Sequence, residues 1–279
     1  MQLPMSAKFT PNLMWRDRAG STNLELIELA KQESLPDFTV LVTADQTAGR
    51  GRSGRTWQAP AGTSLAISVL LRPRLEQQDD LGKLGWLPLL GGLAMSENVA
   101  GLLPGPGDNA PGVGVKWPND VLVNERKICG VLTEMVPLNP AEGRFGPGVA
   151  VVIGAGINVS LTGDQLPVPT ATSLTLDGAN LPADLSERLD LVLSGYLQRL
   201  ANWYGKFTES RLSATASGLR NAVLENCVSL NREVRAILPG GVEQVGRAVT
   251  IDDSGRLVLE VNGQLLPVAA GDIVHLRHS

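Results

Sequence analysis

Apolar positions along the chain change their period several times, and each change predicts an element. Over residues 20–31, Leu24, Leu26, Ile27, Leu29 and Ala30 give a helix an apolar face, and the Ser21-Thr22-Asn23 run is its expected N-terminal cap. Residues 39–44 and 64–71 are short apolar, β-branched runs and predict buried strands. Between them, residues 45–63 turn polar and glycine-rich, which predicts a long loop. A helix is expected over 86–100. Its Gly91-Gly92 pair would cost about 1 kcal/mol per glycine in a solvated helix, so the pair implies close packing against a sheet. Strands are predicted at 113–117, 121–123 and 127–135, the last two joined by an Asn124-Glu125-Arg126 turn, and a further strand at 149–159. Helical spacing through Leu189, Val192, Leu193, Tyr196, Leu200 and Trp203 then predicts a long helix over 185–207 that covers one sheet face.

Beyond about Gly218 the pattern becomes short strands separated by Pro239-Gly240-Gly241, Asp253-Ser254-Gly255 and Asn262-Gly263, which are strong turn signals. A small β-barrel of roughly sixty residues is the natural expectation. The chain therefore divides at 1–217 and 218–279, and a length of 279 residues accommodates one large domain plus a small one. Residues 103–114, with Pro104-Gly105-Pro106-Gly107, have no periodicity and predict a surface spacer.

Charge removes some function classes. Twenty-four basic against twenty-eight acidic side chains give a net charge of −4, the opposite of the footprint of a general nucleic-acid binder, so any anion site must be local. Cys129 and Cys227 show neither a disulfide framework nor zinc spacing, and no apolar signal-peptide core or membrane-length apolar run is visible. A cytoplasmic protein is expected, with no metal-ligand cluster and no membrane association.

The densest chemistry lies in the loop from Asp45 to Trp57, where Arg50, Arg52 and Arg55 fall among Gly49, Gly51 and Gly54. Glycines let the backbone approach a ligand, and arginine forks bind phosphate or carboxylate. The three glycines formally fit a dinucleotide GxGxxG, but that fingerprint must open a helix, and Trp57-Gln58-Ala59-Pro60 follows instead. No Walker lysine motif is present. Without a ligand the like charges repel and each ordered residue costs roughly 1–2 kcal/mol, so the empty loop is expected to be disordered and to close on an anion. A second cluster, Lys116-Trp117-Pro118-Asn119-Asp120 with Lys127 to Gly130 behind it, sets two lysines inside apolar strand-like runs. Each is either a surface strand lysine or the partner of an anion.

Taken in order, Gly20-Ser21-Thr22-Asn23, Gln46 to Arg52, Lys116 to Asp120, Lys127 to Gly130 and Gly154-Ala155-Gly156-Ile157-Asn158-Val159 resemble the biotin protein ligases. The resemblance implies an α+β fold: a mixed β-sheet with flanking helices, related to class II aminoacyl-tRNA synthetases and lipoate ligases, followed by an SH3-like barrel. It implies ATP and biotin as substrates, with Mg²⁺, forming biotinyl-5'-AMP, and transfer of biotin to a lysine of a biotin carboxyl carrier protein. Ser21, Thr22, Asn23, Gln46, Gly49, Arg50, Arg52, Lys127 and Gly130 would then meet biotin. Arg52, Arg55, Trp57, Lys116, Asn119 and Asn158 would meet the nucleotide, with Asn158 on the adenine and Trp57 either stacked on it or a core anchor. Lys127, Arg50 and Asp120 are the expected catalytic residues. Asp120 would orient or deprotonate the acceptor amine, help hold magnesium, or pair with Lys116. Some relatives carry an N-terminal winged helix and repress transcription; with twenty residues before Ser21, no nucleic-acid binding is expected. Monomer and homodimer both remain open. A lipoate ligase and a non-catalytic adenylate sensor are the rival readings, the first disfavoured by the polar Ser21, Thr22 and Gln46, the second by Lys127 and the arginine loop.

Overall fold

The computed structural model describes residues 1–76, 80–105, 112–137, 149–238, 241–269 and 272–276. Nine strands precede the long C-terminal helices: β1 (Leu13–Arg16), β2 (Thr39–Thr43), β3 (Gly49–Arg50), β4 (Thr56–Trp57), β5 (Ser64–Leu71), β6 (Val113–Lys116), β7 (Asp120–Val123), β8 (Arg126–Pro137) and β9 (Val149–Asn158). Seven of them form one sheet in the order β1-β2-β5-β9-β8-β7-β6, while β3 and β4 make a separate ribbon. Only β1 and β2 pair in parallel, so the sheet is mixed. The β7–β8 turn has positive φ at both Asn124 (47°) and Glu125 (64°), the twist a two-residue hairpin requires.

Helix α1 (Thr22–Gln32) covers one sheet face, α2 (Asp80–Lys83) is a single turn, and α3 (Leu87–Leu102) and α4 (Leu185–Glu209) cover the other face. The glycine pair of α3 does pack tightly: a Cβ on Gly91 would lie 3.1 Å from Ile153 Cγ2. Beneath α1, Leu26 and Ala30 meet Leu41, Leu70, Val136, Ala150 and Val152. Fully burying a side chain such as Leu26 contributes about 1.5–3 kcal/mol. Because strand side chains alternate, Leu70, Ser68 and Ala66 share that face, opposite Val152, Gly154 and Gly156 in register. The face shrinks from leucine and valine to serine, alanine and glycine where α1 begins, and a hollow is left there.

The expectation of short strands from about Gly218 needs correction. Residues Leu219–Asn226 form a helix, α5, with Leu219 and Val223 buried in the main core. The strands follow as β10 (Glu233–Ile237), β11 (Glu243–Ile251), β12 (Leu257–Val261), β13 (Gln264–Val268) and β14 (Asp272–His275), an antiparallel sheet in the order β13-β12-β11-β10-β14, as expected for an SH3-like domain. The turns at Asp253-Ser254-Gly255 and Asn262-Gly263 fall between strands, whereas Pro239 and Gly240 and half of the 103–114 spacer (106–111) lie outside the described residues. The first of these turns is pinned to the start of α3 and to the β6–β7 turn: Trp86 Nε1 donates to the Asp253 carbonyl at 2.9 Å and Trp117 Nε1 to the Gly255 carbonyl at 3.0 Å.

The junction also contains His275, half-buried, with Nε2 3.1 Å from Ser229 Oγ, which accepts from the Trp117 backbone N–H. Burial, then the positive charges of Lys116 and Arg232, push His275 down to about 4 against the opposing pull of Glu125. The folded protein thus keeps the imidazole neutral where the unfolded chain, with an ordinary value of 6.5, takes up a proton. Its contribution to stability is full above about pH 6.5 and is lost as pH falls toward about 4. Urea midpoints measured across that window should fall more steeply for the parent than for His275→Gln; identical slopes would show that His275 does not govern the loss.

Candidate active site

The hollow is a cavity of about 390 Å³, within the usual range for small-molecule sites. Ser21, Thr22, Asn23, Gln46, Arg50, Arg52, Arg55, Trp57, Lys116, Asn119, Asp120, Lys127 and Gly130 all border it. Gly154 and Gly156 form its floor, and Ile237, Ile273 and Val274 of the second sheet close one side. Of the residues expected from the sequence, Gly49 and Asn158 do not line it. Gly49 stands behind the wall, where a Cβ would come 2.4 Å from the Trp57 carbonyl oxygen and 2.5 Å from Gln46 Nε2. Asn158 is buried under the 172–175 segment, its Nδ2 donating to the Thr172 carbonyl at 2.8 Å. The arrangement gives its amide a structural partner.

The neutral end lies at the start of α1. Ser21 occupies the N-cap position but makes no side-chain cap bond, contrary to the expected cap. Instead the Thr22 N–H donates to Gln46 Oε1 at 3.0 Å, so a side chain from the basic loop caps the helix from outside. Asn23 Nδ2 donates to the Leu132 carbonyl at 3.1 Å and to Glu134 Oε2 at 3.0 Å.

The cationic end lies across β8, β7 and β6. A register shift between Val121 and Leu122 makes Ile128 an extra residue in β8: Leu122 pairs with Lys127, Val121 with Cys129 and Asp120 with Gly130. The bulge therefore turns Lys127 to the same face as Asp120 and Gly130, while Val121 and Cys129 point into the core. Cys129, pushed far up by burial, is an inert packed thiol. Lys127 Nζ lies 2.6 Å from Asp120 Oδ1 and passes over Gly130, where a Cβ would be only 3.1 Å from Nζ. The Lys127 backbone is clamped on its other side by the Thr170 carbonyl and the Thr172 N–H.

The loop, expected to close on an anion, is a folded ribbon. Gly49 pairs with Trp57 and Arg50 with Thr56, and left-handed Ser53 and Gly54 turn the chain between them. Its charges are not left to repel: Arg50 Nη1 meets Glu134 Oε1 at 3.0 Å, Arg52 Nη1 donates to Asn119 Oδ1 at 3.3 Å, and Arg55 Nε donates to the Arg52 carbonyl. Trp57 lies against Gly156, where a Cβ would be 2.7 Å from its ring, and its buried Nε1–H has no acceptor among the described residues. Sequence reasoning missed Ser68 and Glu134, which support the lining, and gave Gly154 and Gly156 no role. The alternation of small residues along β5 and β9 is the signal that marks the floor.

A mixed sheet with a hydrogen-bonding pocket at a helix start and a cationic end beyond it defines a ligand-binding catalytic architecture, and similar proteins specify it. Residues 16–158 match the biotin/lipoate A/B protein ligase family and residues 229–276 the biotin protein ligase C-terminal domain. The chain belongs to the biotin protein ligase family. It is 35% identical over 260 residues to the biotin–[acetyl-CoA-carboxylase] ligase of Mycobacterium tuberculosis, covering 93% of this chain and 87% of that one. It is 34% identical over 258 residues to the ligase of the same description from Paracoccus denitrificans, covering 90% and 96%. Among solved structures, the biotin protein ligase from Aquifex aeolicus in complex with biotin and ATP superposes with a TM-score of 0.69 at 27% identity, covering 96% of this chain and all of that one.

Proposed function

We propose that this protein activates biotin with ATP to biotinyl-5'-AMP and pyrophosphate, then transfers the biotinyl group to a lysine of a biotin carboxyl carrier protein in the cytoplasm. The observation that carries this reading is the two-ended cavity, with neutral hydrogen-bonding groups at the start of α1 and fixed cations over β8 to β6. In this reading Ser21, Thr22, Asn23 and Gln46 hold the ureido ring. Arg50 and Arg52 hold the loop over the ligand, while Arg55, Lys116 and Asn119 face the nucleotide. The Trp57 indole N–H, an unpaired buried donor that costs about 1–3 kcal/mol, gains an acceptor when the ligand enters.

In the first step a biotin carboxylate oxygen bonds to the α-phosphorus as the bond to the pyrophosphate oxygen breaks. Lys127 sits where the two anions converge and offsets their repulsion. In the second step the acceptor amine, once deprotonated, attacks the acyl carbon and AMP leaves with the anhydride oxygen. In this reading Asp120, beside Lys127, orients that amine. Among the described residues no group of three or more His, Cys, Asp or Glu could hold a metal ion. Asp120 is a single carboxylate, which suits Mg²⁺ entering on the ATP phosphates as part of the substrate.

Pyrophosphate exchange into ATP tests the reading. Exchange supported by biotin and not by lipoate is expected; exchange with lipoate alone makes the protein a lipoate ligase, and none with either acid makes it a non-catalytic binder.

A further inference from the structure

Glu134 is out of pattern. Its neighbours on the same face of β8 are Leu132 and the buried Val136, and it stands opposite Val152 under α1, yet it is a carboxylate with a side chain only 22% exposed. Such a charge needs partners, and it has two from different elements: Arg50 of the basic loop on Oε1 and Asn23 of α1 on Oε2, each at 3.0 Å.

The contacts continue beyond it. Asn23 Oδ1, which can only accept, takes the proton of the fully buried Ser68 at 2.6 Å. Ser68 Oγ also lies 2.9 Å from the Thr22 hydroxyl, which itself donates to Gln46 Oε1 at 3.2 Å. Thr22 is in turn bound through its backbone N–H to Gln46, four residues before Arg50. The path thus leaves the basic loop at Gln46, crosses α1 and the sheet, and returns to the loop at Arg50. At its far end the Asn23 amide and the Arg50 guanidinium both donate to the Glu134 anion, and bonds to a charged acceptor are the stronger kind.

We propose that Glu134 is a positioning residue that couples the ureido end of the site to closure of the basic loop: it holds the Asn23 amide in one orientation and fastens Arg50 at the same time. The inference rests on the functional reading above and adds to it a residue outside the cavity lining. A ligand that orders Asn23 fixes the carboxylate that Arg50 needs, and a fastened loop fixes Asn23 for the ligand. Glutamine cannot replace the carboxylate, because its amide presents one acceptor and one donor where both partners donate.

The test compares parent, Glu134→Ala, Glu134→Gln, Arg50→Ala and the Arg50→Ala/Glu134→Ala double variant. Biotin affinity is read by calorimetry, and release of preformed biotinyl-adenylate by dilution into a trap. Glu134→Ala should weaken biotin and speed adenylate release by about 10-fold each, and Glu134→Gln by about 3-fold or more. In the Arg50→Ala background, Glu134→Ala should speed release by less than about 2-fold further, because its partner in the loop is already gone. Parent-like affinity and retention in Glu134→Ala overturn the proposal, as does a double variant whose release rate is the product of the single effects. Should the alanine variants not fold, parent-like behaviour of Glu134→Gln overturns it alone. A parent that does not bind biotin brings down the functional reading and this inference together, whereas a parent that binds and variants that match it bring down only the inference.

Discussion

Lys127→Ala is expected to slow biotinyl-adenylate formation by about 10²–10³-fold, the range for removing one fixed donor from a developing charge, while biotin affinity changes by less than about 3-fold. The separation follows from where the ammonium is held. The Ile128 bulge turns it to the cavity, Gly130 leaves its path open, and the Thr170 and Thr172 backbone groups fix the strand that carries it. Bound biotin presents one carboxylate to this cation, an interaction largely exchanged for water, whereas the attack on phosphorus brings two anionic groups together at that point. Asp120, 2.6 Å from Nζ, keeps the lysine in place and is left without this cation in the variant. Single-turnover adenylate formation at saturating biotin, set beside calorimetric affinity, separates the two effects. Equal losses in both would make Lys127 a binding residue only, and a loss confined to affinity would remove it from the chemical step altogether.

The parts of this site legible in the sequence are those whose chemistry is concentrated along the chain. Arg50, Arg52 and Arg55 announce an anion within six residues, and Lys116 to Asp120 stands out because lysines are scarce in apolar strands. Strands β2, β5 and β9 are legible for a related reason, since buried strands read as continuous β-branched runs. What the sequence hid depends on contacts between distant elements. Helix α5 has eight residues, too few to be helical by propensity, and it is held by burial of Leu219 and Val223. The loop's charges looked repulsive because Glu134, which neutralises Arg50, is more than eighty residues away. Ser21 looked like a cap because serine usually is one, and only the fold brings Gln46 to the Thr22 amide instead.

The same distance hid the role of Gly154, whose substitution gives the second large effect. An alanine Cβ there would fall 2.2 Å from Asn23 Oδ1 and 2.7 Å from its Cγ, so the amide itself must leave. It cannot swing aside cheaply, because it is tied to Ser68, Glu134 and the Leu132 carbonyl at once. Gly154→Ala should therefore weaken biotin binding by about 10-fold or more and lower unfolding stability by about 1–3 kcal/mol, the usual cost of stranding a buried polar group. Calorimetry and denaturant unfolding measure the two losses. If the collision with Asn23 is the cause, Gly154→Ala made in an Asn23→Ala background should change affinity by less than about 2-fold further, since the space it needs is already empty. A full loss persisting in that background would place the damage in the sheet itself. An unaltered affinity for Gly154→Ala alone would mean that the amide relocates freely, and that the hydrogen-bonded path from Gln46 to Arg50 does not govern the ureido end of the cavity.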